Sequence, residues 1–231
     1  MPRHALVASS VMASKYHSPH RAEVAAATRA AIVNSARELF LANGYGTVTV
    51  ADIAAAAAVA IPTVYASAGG KAEILREILI PAVRDPSVAD TLKAVAGIDD
   101  PDEIIDVTAT GARLAHERHW DVLPSLLPHC RAEPSAAAVL EASNAECLAA
   151  LAVVADRLVA VRALRSDLDH PRAVDLLWFH FGQEAWLTLV SDRGWTFDQA
   201  ESWLAESAKH ALCGPRPPLG HGDGDEHAIA P

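Results

Sequence analysis

Residues 48–71, VTVADIAAAAAVAIPTVYASAGGK from Val48 to Lys71, predict two short helices joined by a tight turn. Thr49 stands ahead of an apolar run with Asp52 three residues later, a capping-box arrangement that satisfies the free N–H groups at a helix start. The first helix is expected to run through Ala57. Val50, Ile53, Ala54 and Ala57 recur at spacings of three and four, so one stripe faces a core while small alanines let a neighbour approach closely. Pro62 falls where a second helix can begin, because a first-turn proline gives up only an N–H that had no partner. The unit is a helix-turn-helix in outline.

Working outward, a helix is expected from Glu23, with Ile32, Ala36, Leu39, Phe40 and Asn43 on one side and Gly44 as its left-handed cap. Tyr45 and Val48 should close that small core. Gly69-Gly70 breaks the chain, and Lys71 opens a long helix to about residue 83 with Ile74, Leu75, Ile78 and Leu79 inward. Asp85-Pro86 stops it. The rest reads as helix throughout: a short one over 87–97, one over 102–119, a stretch fragmented by Pro124 and Pro128, and a long one over 134–164. Two more follow. The first is read as continuous over 171–192, with Val174, Leu177, Trp178, Phe181, Ala185 and Leu189 as one stripe and Phe179, Trp186 and Leu187 elsewhere around the cylinder. Thr196 and Gln199 form a capping box for the last, whose face is Trp203, Leu204, Ala208 and Leu212. The fold class is all-α, with an N-terminal three-helix helix-turn-helix domain and a helical C-terminal domain.

Composition agrees with that reading. In 231 residues, 51% hydrophobic side chains with only 5% aromatics give ample core material weighted towards helix formers. The net charge of −10 is unevenly spread. Residues 1–84 hold 8 Lys and Arg against 5 Asp and Glu, and residues 85–231 hold 11 against 24. A mildly basic first part on an acidic body fits nucleic-acid binding by the first part only. Cys130, Cys147 and Cys213 are too widely spaced for a zinc set and odd in number, which favours a reducing cytoplasm. The longest strongly apolar run, Ile53 to Ile61, is too short to cross a bilayer, so no membrane span is expected. Residues 1–20 read as a disordered arm carrying Arg3, Lys15, His17 and His20, with Arg21 directly after it, and residues 214–231 as a disordered acidic tail.

Asn43-Gly44-Tyr45, Val48-Thr49-Val50-x-x-Ile53-Ala54, Pro62-Thr63-Val64-Tyr65 and Lys71 together resemble the DNA-binding domain of TetR-family transcriptional regulators. The resemblance implies an all-helical homodimer, with residues 21–70 binding an inverted-repeat operator and residues 71–213 binding a small-molecule effector. It further implies pairing through helices at about 171–192 and 196–213. By the same transfer, Thr49 and Tyr65 donate to phosphates, Lys71 pairs with a phosphate, and Thr63 sits in the groove. Pro62 and Thr63 offer apolar contact to a thymine methyl, and Ser67 offers a small donor or acceptor. Ala60, Ile61, Ala68 and Gly70 depart from the common family pattern. No Lys or Arg lies between Ala51 and Gly70, so recognition is expected to lean on dimer spacing, the arm and DNA shape.

For the effector, the body offers His116, Trp120, His129, Trp178, His180, Phe181 and Glu184, with His119, Cys130 and Trp186 in a wider set. Aromatic walls with few polar groups suit an apolar ligand. His116-Glu117-Arg118-His119 lacks the spacing of a zinc-protease helix, and no nucleophile elbow or phosphate-binding glycine loop occurs, so neither a catalytic site, a metal nor a cofactor is expected. The competing reading is a helical dimer that binds a small molecule or protein partner and has lost tight DNA binding.

Overall fold

The computed structural model describes residues 19–130 and 133–213, apart from the side chains of Pro19 and His129, and every extended run of regular structure in them is helical. The expected arm up to residue 18 and the tail from residue 214 lie outside the described residues. Helix α1 (Pro19–Asn43) ends where Gly44 takes φ 80°, with its N–H on the Phe40 carbonyl at 2.9 Å. Helices α2 (Val50–Ala56) and α3 (Ile61–Ala68) follow, their axes bent by 97° across the turn. The capping box forms as read: Asp52 N–H donates to the Thr49 hydroxyl at 3.2 Å, and Thr49 N–H to the Asp52 carboxylate at 2.9 Å. Ala58 holds the turn at φ 52°, a left-handed position that glycine would occupy without strain.

Helix α4 (Lys71–Val83) completes a core in which Ile32, Phe40, Tyr45, Ile53, Val64, Ile74 and Leu75 are all but inaccessible to water. Each such side chain contributes roughly 1.5–3 kcal/mol by leaving water. That core does not stop at the helix-turn-helix. Val122, Leu126, Cys130 and Ala136 belong to it, brought in by α7 (Leu123–Cys130) and the first turn of α8 (Pro134–Ala160).

A second core joins α5 (Pro86–Val95), α6 (Pro101–Arg118), α8, α9 (His170–Phe181), α10 (Gln183–Trp186) and α11 (Phe197–Leu212) around Ile104, Leu158, Leu177, Phe181, Trp186 and Leu204. Against the expectation of no membrane span, α8 is long and apolar enough to cross a bilayer, but it lays Val154, Ala155 and Leu158 into this core and carries Glu141, Glu146, Asp156 and Arg157. We read it as a packed helix of the body.

Three boundaries differ from expectation. Pro124 and Pro128 do not break their segment: Pro124 stands in the first turn of α7, where a missing N–H forfeits no helix bond, and Pro128 lies inside the helix with its ring exposed. Helix α8 stops at Ala160 rather than near 164: Arg162 turns left-handed at φ 57°, and Ala163 N–H reaches back to the Leu158 carbonyl at 2.9 Å, closing a Schellman-type end. The helix read as continuous over 171–192 breaks at Gly182, whose ψ of 162° is extended. A Cβ there would lie 2.5 Å from the Trp178 carbonyl oxygen, so this close approach requires glycine. Beyond the break, the single turn α10 runs into a π-helical segment, Leu187–Asp192.

Candidate nucleic-acid interface and ligand cavity

On α3, burial of Val64 and Ala68 turns the opposite side outward. Pro62 and Tyr65 are exposed there, Tyr65 by 56%, while Thr63 and Ser67 are half-buried. This is the protruding face of the bent helix pair and the part of it that can enter a groove. Thr49 and Lys71 are less available. The Thr49 hydroxyl donates to the Asp52 carboxylate at 2.7 Å, and those bonds from Thr49 hold the Asp52 carboxyl below its ordinary range. Lys71 gives two of its three N–H bonds to the Tyr45 and Val48 carbonyls, at 2.7 and 2.9 Å, with the ammonium 4.2 Å above the Tyr45 ring. Arg29, on α1, donates to the Ser67 carbonyl and pairs with Glu77 of α4 at 2.8 Å.

Helix α4 is therefore stapled to the helix-turn-helix at its start, and it is clamped to the body at its end. Arg84 forms a two-pronged pair with Glu146 of α8, at 2.9 and 3.0 Å. Asp85, only 2% exposed, accepts from Ser87 N–H, Arg118 Nη1 and His119 Nε2 at 2.9, 2.5 and 3.0 Å. Burial alone would raise its pKa, but hydrogen bonds from Ser87 and then from Arg118 and His119 outweigh it and bring it down to about 2. A carboxylate depressed in this way stabilises the fold fully above its unfolded pKa of about 3.9, and the contribution disappears as pH falls towards the folded value. Asp85→Asn should accordingly cost roughly 2 kcal/mol at neutral pH and flatten the loss of stability between pH ~4 and ~2. Urea unfolding of both proteins across that range is the measurement; parallel pH curves would reject the clamp.

Between α4 and the body lies a cavity of about 120 Å³. Leu79, Ala82 and Val83 of α4 form one wall, Leu92, Ala112 and Leu127 contribute from α5, α6 and α7, and Leu140, Leu151 and Val154 form the α8 side. Among the described residues, no Lys, Arg, Asp or Glu lines it. Of the sequence candidates, His116, Trp178 and Phe181 line it; Trp120, His180 and Glu184 do not, and the side chain of His129 lies outside the described residues. His180 faces α11 instead, with Nδ1 on the Leu176 carbonyl at 2.7 Å and Nε2 on the Ser207 hydroxyl at 3.1 Å. Trp120 packs edge-on against Phe197, and Glu184 is exposed beyond the Gly182 break. That break also turns Gln183 into the wall, where its amide donates to Asn144 Oδ1 at 3.1 Å.

His116 stacks on Trp186 at 5.4 Å, and its Nδ1 lies 2.6 Å from the Ala112 carbonyl. A carbonyl only accepts, so Nδ1 carries the hydrogen. Burial lowers the pKa of the ring to about 4, leaving a neutral imidazole with a bare Nε2 lone pair. The Cys147 thiol, also in the wall, is pushed up to about 11 by burial and then by Glu146, and stays uncharged. Among the described residues no group of three or more His, Cys, Asp or Glu side chains is placed to hold a metal ion.

Residues 32–78 match the family model described as bacterial regulatory proteins, tetR family. Among solved structures, the chain is similar to NalD, the secondary repressor of the MexAB-OprM multidrug efflux pump in Pseudomonas aeruginosa: 24% identity, 83% of this chain and 98% of that one, TM-score 0.65. It is similar to FadR from Bacillus subtilis in complex with stearoyl-CoA, at 16% identity, 79% and 98% coverage and TM-score 0.64. A third is PfmR from Thermus thermophilus, at 21% identity, 80% and 96% coverage and TM-score 0.55. Comparison with curated protein sequences gives no match. The helix-turn-helix sequence and the all-helical architecture converge: residues 32–78 form a tetR-family helix-turn-helix domain, and the chain as a whole shares the all-helical fold of these solved regulators.

Proposed function

We propose that the protein is a homodimeric repressor that binds an inverted-repeat operator through α3 and leaves it when a small molecule enters the cavity. The observation that carries this reading is the course of α4. Ile74, Leu75 and Ile78 lie in the helix-turn-helix core, and Leu79, Ala82 and Val83, directly following, wall the cavity. A ligand that favours one position of those last turns must bias the orientation of the first, which is the differential affinity that coupling requires. The stearoyl-CoA complex of FadR supports a ligand-holding body in this fold. Pairing is supported by Phe179 and Trp203, 69% and 51% exposed on α9 and α11, where large aromatics would otherwise face water. The reading places the protein in the cytoplasm, without catalytic activity.

The test is a gel shift on DNA from the protein's own chromosomal neighbourhood, at low and moderate salt, with Tyr65→Ala beside the wild type. Tyr65 is the better choice than Lys71, whose removal would also unpin α4. Specific retardation should fall by about tenfold or more in the variant, as expected for loss of a phosphate or base contact. Absence of specific binding, there and in a random-sequence pool, would favour a dimer that binds a small molecule or protein partner without DNA.

A further inference from the structure

The cavity's wall restricts what can occupy it more sharply than its apolar character alone. Charged ligands are disfavoured first. A buried carboxylate or phosphate would meet no Lys or Arg, and a buried ammonium no Asp or Glu, because none of the described residues that line the space is charged in that way. Beside the Thr91 hydroxyl, the Cys147 thiol and the Gln183 amide, three polar groups of the wall offer acceptors only. Ser143 and Thr108 have already donated their hydroxyl protons, to the Val139 and Ile104 carbonyls at 3.0 and 2.7 Å. His116 has spent its N–H on Ala112, so Nε2 is the polar atom it has left to offer, and that atom can only accept while the ring is neutral. About 120 Å³ seats a single ring, being close to the ~150 Å³ apolar cavity known to hold benzene.

We propose that this cavity takes an uncharged, single-ring or comparably compact apolar molecule bearing one hydroxyl or N–H donor, which it gives to His116 Nε2. The assignment rests on reading the cavity as the effector site, and it names the chemistry of that effector. Trp178 and Phe181 supply aromatic wall for the ring, and Leu140 and Leu151 the aliphatic side. A donor that left water for an empty apolar wall would lose its hydrogen bonds; His116 restores one.

The experiment is calorimetric titration of the full-length, DNA-free protein at neutral pH with four matched compounds: p-cresol, 4-methylanisole, 4-methylbenzoate and 4-methylbenzylamine. p-Cresol should bind about tenfold more tightly than 4-methylanisole, which keeps the ring and oxygen but carries a methyl where the donor hydrogen stood, and the two ions should bind more weakly than either. His116→Leu should bring the p-cresol to 4-methylanisole ratio to about one, and Leu140→Trp, which fills the space, should abolish binding of both. The wild-type ratio stands without any variant, so a poorly folded substitution does not remove the test. Equal affinity for the two neutral compounds, preference for either ion, or no heat from any of the four would overturn the assignment. Because no DNA is present, its failure alongside an intact gel shift leaves the regulator reading in place, and p-cresol binding with no gel shift does the reverse.

Discussion

At micromolar concentration the wild type should sediment as the proposed dimer, and Phe179→Glu combined with Trp203→Glu as a monomer. Both side chains are exposed in the single chain, on α9 and α11, and Trp203 sits edge-on to Trp195 at 6.2 Å, so replacing them removes little from the fold of one copy. Across a two-fold interface each position occurs twice, and a central aromatic is typically worth about 2 kcal/mol or more. Losing two such anchors and burying carboxylates in their place should raise the dissociation constant by about a thousandfold or more. Operator retardation should vanish with it, since one recognition helix holds only one half-site. Sedimentation velocity alongside a far-UV melt decides the matter: a dimer that persists, or a melt that collapses, would remove these helices from the proposed interface.

The second large effect is expected at Gly111, inside α6 where it crosses α5. A Cβ there would meet Thr91 Oγ1 at 1.9 Å, Thr91 Cβ at 3.0 Å and Thr91 Cγ2 at 3.2 Å. Alanine is the better helix former by ~1 kcal/mol. The clash reverses that preference, because forcing a methyl into a packed helix crossing costs roughly 1–3 kcal/mol and here also requires the crossing itself to open. Gly111→Ala should lower stability by about 2 kcal/mol and, since Gly111 and Thr91 both wall the cavity, reshape it. Adding Thr91→Ala removes the two outer clashing atoms and should recover most of the loss. Urea unfolding of the two single variants and the double reports the coupling directly; strictly additive losses would deny that these two residues set the distance between the helices.

The helix-turn-helix was legible because its signals are local. Gly44, the Thr49–Asp52 pair and Pro62 each act within four residues, and each is found where its chemistry requires. The break at Gly182 was not, since a lone glycine in an apolar helical pattern reads as tolerated; only the packing of Trp178 against it makes the glycine obligatory. The cavity divides the same way. His116, Trp178 and Phe181 stood out as unusual residues, whereas Leu79, Leu127, Leu140 and Leu151 carry the periodicity of any core leucine and became a wall only through tertiary placement. His180 and Trp120 have the right chemistry on the wrong side of their elements, a distinction that Gly182 and α11 impose. Lys71 is the reverse case. Its charge suggested an outward role, yet the carbonyls it binds belong to Tyr45 and Val48, more than twenty positions earlier in the chain.

The contribution of Val122, Leu126, Cys130 and Ala136 to the first core bears on how far this protein can be treated as interchangeable parts. A fragment cut after α4 would keep the whole helix-turn-helix yet open one side of its interior to water, and the Tyr45 hydroxyl would lose Ser135 at 3.1 Å. The DNA-reading half is therefore not a self-sufficient module that could be grafted onto another sensor at residue 84. A transplantable unit has to carry α7 and the opening of α8 with it, so the seam along which such a regulator can be recombined runs through space rather than through a single point of the sequence.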